Sequence, residues 1–167
     1  MWISPIQIKY LQQSEHLYID ATYISTKEYY QTLIVMGYNS HLNLKVPCCF
    51  ILMNNKSQTS YEISLSSLYN IITENHNNSL NIISICTDFE EALINAVKLV
   101  FKNIRNVGCL FHYIKNIRLN MQKIGLLKDE IKNNSETLLN LFEFVAITAT
   151  LTFSFFYFEQ NAEKLKN

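Results

Sequence analysis

The chain has 167 residues, 49% of them apolar and 17% charged, which is enough for one domain with a real core and excludes wholesale disorder. Only 3 glycines and 2 prolines exclude a loop-dominated or linker-rich chain, and a formal net charge of zero excludes a generic polyanion binder for the chain as a whole. Four cysteines, two of them adjacent and all in apolar strand-like runs, fit a reducing compartment without a disulfide framework.

Met1–Ser14 lacks the basic flank and apolar centre of a signal peptide. The first predicted element is a strand at His16–Thr22 (HLYIDAT), where Leu17 and Ile19 alternate with Tyr18 and Asp20. Gln31–Tyr38 is a second apolar, β-branched run, and Gly37, Asn39 and Ser40 give a turn signal. Lys45–Met53 is a third strand. Pro47 cannot donate to a ladder, which puts this strand at a sheet edge or starts it there.

The periodicity then changes from two to nearly four. Thr59 with Glu62 has capping-box spacing, and Tyr61, Leu65, Leu68 and Ile72 form a helical stripe that the polar Glu74–Ser79 closes. Asn81–Cys86 reads as a short buried strand. Thr87 and Glu90 repeat the capping-box spacing before a helix with Ala92, Leu93, Ala96, Val97 and Val100 on one face. Val107–Leu110 is a last short strand, followed by a helix with Leu110, Ile114, Ile117 and Met121 as its stripe and Gly125 as C-cap.

The order β-β-β-α-β-α-β-α predicts an α/β, RNase H-like mixed sheet, in which a three-stranded antiparallel meander continues into parallel strands flanked by helices. Right-handed crossovers set the fourth strand parallel to the first. The expected organisation is an N-terminal remnant at 1–15, a core at 16–127 and a helical C-terminal segment at 128–167, with a break at Asn133–Ser135. Phe144–Phe158 is uncharged, but its 15 residues include three threonines and a serine. That is shorter than the roughly 20 apolar residues a spanning helix needs, so it reads as buried and no membrane is expected.

Two acids stand out. Asp20 lies in the first predicted strand and Asp88 just after the fourth; if those strands are parallel neighbours, both reach the carboxyl edge where open α/β sheets form ligand sites. Hard oxygen ligands suit Mg²⁺ or Mn²⁺. Read as structure alone, Asp88 is a helix cap and Asp20 a polar strand end. Lys98, Lys102, Arg105, Lys115, Arg118, Lys123 and Lys128 have no acid among them and hold half of the 14 basic residues. They are either candidate DNA-phosphate contacts or solvated helix faces. Cys109 and His112 form a single CxxH, and tetrahedral zinc takes about four ligands.

HLYIDATY (His16–Tyr23), VPCCFILMNNKSQTSY (Val46–Tyr61), CTDFEEALINAVKLVF (Cys86–Phe101) and GCLFHYIKNI (Gly108–Ile117) resemble, in order, successive blocks of the Mutator-like (MULE) transposase domain. The resemblance covers about His16 to Gly125. It implies a DDE-type, RNase H-like catalytic core with two divalent ions, a DNA substrate, a nuclear location and a possible homo-oligomer. Asp20 matches the family's first catalytic, metal-binding acid, Asp88 its second, and Cys109 with His112 its CxxH motif, with His112 expected to shape the site near Asp88.

The family's third acid is a downstream Glu. None of Glu130, Glu136, Glu143, Glu159 and Glu163 stands in a matching block, and Phe155–Gln160 resembles a stretch of the family's helical insertion instead. The expectation is therefore a truncated or degenerate copy with weak or no activity alone. The alternative is a non-enzymatic DNA- or protein-interaction module derived from such an enzyme.

Overall fold

A computed structural model describes residues 1–24, 28–74 and 80–123. The chain divides into two compact units, Met1–Cys109 and Leu110–Asn167. Several sequence expectations lie outside the described residues: the Gly125 cap, Lys128, the break at Asn133–Ser135, the Phe144–Phe158 segment, the Phe155–Gln160 block and all five downstream glutamates.

The first unit carries helix α1 (Pro5–Gln12), strands β1 (His16–Tyr23), β2 (Gln31–Asn39) and β3 (Leu44–Met53), helix α2 (Gln58–Thr73), strand β4 (Ser84–Thr87), helix α3 (Glu91–Val100) and strand β5 (Arg105–Gly108). The sheet order is β3-β2-β1-β4-β5. β1, β2 and β3 pair antiparallel, whereas β1–β4 and β4–β5 are parallel. This is the expected mixed α/β sheet, with the fourth strand parallel to the first.

Strand alternation decides what is buried. Leu17, Ile19, Leu33, Val35, Ile51 and Ile85 join Tyr61, Leu65, Leu68 and Ile72 of α2 and Leu93, Ala96 and Val97 of α3 in one core. Residues of the opposite parity, among them Tyr18, Ile34, Met36, Phe50 and Cys86, are half-buried. Pro47 lies on the edge strand, as its missing N–H requires. It pairs with Met36 where the β2–β3 register shifts. This bulge turns consecutive residues Cys48 and Cys49 both into the core.

Three local expectations are corrected. Gly37 belongs to β2 rather than to the turn, which falls at Ser40–Asn43 with Asn43 at φ 46°. Gly37 is needed for packing: a Cβ there would run into Ser14 Oγ and come within 3.2 Å of Leu11 Cδ2. The cap of α2 is Ser57, two residues before Thr59. Its hydroxyl accepts from Ser60 N–H, while Glu62 accepts from Gln58 Nε2 at 2.7 Å. Thr87 does not cap α3. It ends β4 with its hydroxyl donating to Asn106 Oδ1, and Glu90 takes the N-cap position.

Residues 1–15 contain an element that the sequence reading left unassigned. Ser4 and Gln7 close a capping box around Pro5 at the start of α1, Leu11 is fully buried, and Trp2 bridges to Phe50 on the open edge of β3. In the second unit the described part is helix α4 (Leu110–Lys123). Its stripe residues Ile114, Ile117 and Met121 are half-buried, and Leu110 is exposed. Among the described residues no helix is long and apolar enough to cross a membrane.

Candidate metal site at the carboxyl edge of the sheet

The last paired residues of β1 and β4 are Ile19 and Thr87. One residue further along each of these parallel strands is an aspartate. Neighbouring strands lie about 4.8 Å apart, so Asp20 and Asp88 follow the last paired residues of the β1–β4 ladder side by side, although β2, β3, α2 and β4 lie between them in sequence. β4 ends there, but β1 continues to Tyr23 against β2 alone. The carboxylates therefore stand where the sheet stops being paired on both sides. Asp20 is exposed and Asp88 is half-buried.

Each carboxylate is tied to the main chain through Oδ1. Asp20 Oδ1 accepts from Ala21 N–H at 2.9 Å, and Asp88 Oδ1 from Glu90 N–H at 3.1 Å. The second contact closes an Asx-type turn that carries the chain from β4 into α3. Glu90 is held from its other end by Tyr61 of α2, whose hydroxyl donates to Glu90 Oε1 at 3.1 Å. That hydroxyl in turn accepts from Gln31 Nε2 at 2.8 Å. Burial raises the Tyr61 phenol well above its ordinary range, so it remains a donor at any ordinary pH.

On the neighbouring strands, burial, followed by the nearby Cys109, pushes the Cys86 thiol up to about 11; Asp20 acts in the same direction and Lys45 opposes it. Cys86 is therefore an uncharged thiol at neutral pH. The Lys45 ammonium lies 3.4 Å from the Tyr18 ring centroid, a cation–π contact. Gly108 leaves room for Phe89, whose ring a Cβ at that position would meet at 2.6 Å.

The other sequence candidates are distributed differently. Cys109 ends the first unit, with its N–H donating to Thr87 O at 2.8 Å. His112 lies in the first turn of α4, in the second unit. Lys98 lies in the last turn of α3, Lys102 follows the helix and Arg105 opens β5, while Lys115, Arg118 and Lys123 lie on α4. All of these bases are exposed except Arg105, which is half-buried.

Among the described residues no three His, Cys, Asp or Glu side chains cluster to hold an ion. Carboxylates of Asp20 within β1 and of Asp88 just past β4 still offer the hard oxygen donors that Mg²⁺ and Mn²⁺ take, since such ions commonly use one or two carboxylates and complete their shell with water and substrate phosphate. Asp20 and Asp88 are the two acids singled out in the sequence; Tyr61 and Gln31 carry no such signal as polar partners, because Tyr61 falls in an apolar helical stripe and Gln31 at the start of an apolar strand.

The family model of the MULE transposase domain matches residues 16–116. No curated protein matches the chain.

Proposed function

The chain belongs to the MULE transposase domain family, and from that premise we propose that Asp20 and Asp88 hold a divalent cation, Mg²⁺ or Mn²⁺, against a DNA phosphodiester. The register that sets the two aspartates one step beyond Ile19 and Thr87 carries this reading. Such an ion, when bound, activates a water or DNA 3′-hydroxyl and stabilises the leaving oxygen in phosphodiester attack.

The protein's own part is positional. The Ala21 and Glu90 N–H groups take one oxygen of each carboxylate and so fix its orientation. Asp88, just ahead of α3, is also favoured as an anion by the helix dipole. Two carboxylates bind one such ion loosely, and holding a second beside a phosphodiester calls for a further acid. The proposal is therefore weak metal binding with little or no strand transfer by this chain alone.

The test is Mn²⁺ titration calorimetry on the full chain and on Asp20→Ala and Asp88→Ala. Weak binding that either substitution reduces is expected. Equal affinity in all three proteins rules the site out.

The exposed Lys98, Lys102, Lys115, Arg118 and Lys123 favour a second reading, a DNA-binding module that does not depend on the acids. It predicts affinity for duplex DNA that falls steeply with salt and is unchanged in Asp20→Ala. Either reading puts the protein with nuclear DNA.

A further inference from the structure

The hydrogen-bond chain from the core to Asp88 assigns roles to residues that bind nothing themselves. Gln31 is 1% exposed and Tyr61 is fully buried. Gln31 Nε2 donates to the Tyr61 hydroxyl, which donates to Glu90 Oε1, and Glu90 N–H donates to Asp88 Oδ1. Each donor here has its acceptor, and the direction runs one way, from the floor of the sheet to the carboxylate.

Glu90 is a third acid, two residues after Asp88 in sequence. Its bond to Tyr61 turns it to another use, because one carboxylate oxygen is committed to a fully buried phenol. Nor does it form a three-acid group with the two aspartates among the described residues. Its side chain anchors the turn, while its main-chain N–H orients Asp88.

We infer that Tyr61 and Glu90 are positioning residues that preset the Asp88 carboxylate for a divalent cation, with Gln31 fixing the Tyr61 hydroxyl. The inference rests on the proposed metal site. The physical reason is pre-organisation: Asp88 lies past the end of β4 in a turn, where no sheet ladder holds it. A carboxylate free to rotate loses affinity each time it must be ordered around an ion. Partners that orient metal ligands are commonly worth 10- to 100-fold in affinity.

The experiment is Mn²⁺ binding to the full chain, followed by the electron paramagnetic resonance signal of free Mn²⁺, at a temperature where circular dichroism shows each variant folded. Tyr61→Phe keeps the ring and the net charge but lacks the hydroxyl. It should weaken binding about tenfold, the low end for losing an orienting partner. Glu90→Gln and Glu90→Ala remove the same charge, but only Gln keeps an acceptor for Tyr61. Gln should therefore bind Mn²⁺ several-fold more tightly than Ala, a difference that charge cannot produce.

If Tyr61→Phe fails to fold, the Glu90 pair decides. Affinity that responds to Asp20→Ala and Asp88→Ala but not to Tyr61→Phe, or equal affinity in the two Glu90 variants, overturns this inference alone. Affinity indifferent to both aspartates overturns the metal site and this inference with it.

Discussion

From His16 to Ile19, β1 is paired with β2 on one side and β4 on the other, and it buries Leu17 and Ile19. From Asp20 to Tyr23 the same strand has β2 alone, and its residues are exposed or half-buried. The halves differ because β4 stops at Thr87. A carboxylate inside the doubly paired half, on the core face, would be stripped of water without a partner and strongly disfavoured. One step past the last residue paired with β4, Asp20 is exposed and keeps its hydration. The boundary between buried and exposed side chains in β1 falls between Ile19 and Asp20.

The largest expected break in that comparison is Leu17→Ala. Leu17 is completely buried in the paired half, and the truncation should cost roughly 2–5 kcal/mol in urea unfolding. Gly37→Ala comes next. It puts a methyl against Ser14 and Leu11 on the strand opposite Leu17, and should cost about 1–3 kcal/mol as α1 is pushed off the sheet. The smallest effect is at Asp20→Asn in the open half, where stability should stay within about 0.5 kcal/mol of the parent while Mn²⁺ affinity falls. A loss of stability at Asp20 comparable with that at Leu17 would erase the distinction between the halves.

Much of the fold could be read in the chain because its signals are local. Alternation marks β1, an apolar, β-branched run marks β2, Pro47 marks an edge or a strand start, and Tyr61, Leu65, Leu68 and Ile72 repeat at helical spacing; these last four are fully buried. The two capping errors share one cause. Thr59 and Thr87 each stand three residues before a glutamate, but the cap positions fall at Ser57 and Glu90, which lack that spacing. Which residue takes the cap depends on where the preceding strand lets go. Helix α1 is the reverse case: Ser4, Pro5 and Gln7 carry a complete start signal, but the helix that follows is only 8 residues long.

α3 and α4 show the limit of pattern reading. Both have an apolar stripe, yet Leu93, Ala96 and Val97 of α3 are buried while α4 buries none of its residues completely. A stripe identifies the face that prefers contact and says nothing of how closely it is covered.

By itself, the sequence determined the order of elements from β1 to α4, the alternation in β1 and the apolar stripes of α2 and α3, because each follows from periodicity. Only the tertiary structure decided that Ile19 and Thr87 pair last, and hence that Asp20 and Asp88 emerge together. It alone also joined Gln31, Tyr61 and Glu90 into one line of hydrogen bonds. Register and side-chain direction across elements are set by how the packed helices and strands fit, and no stretch of neighbouring residues encodes that fit.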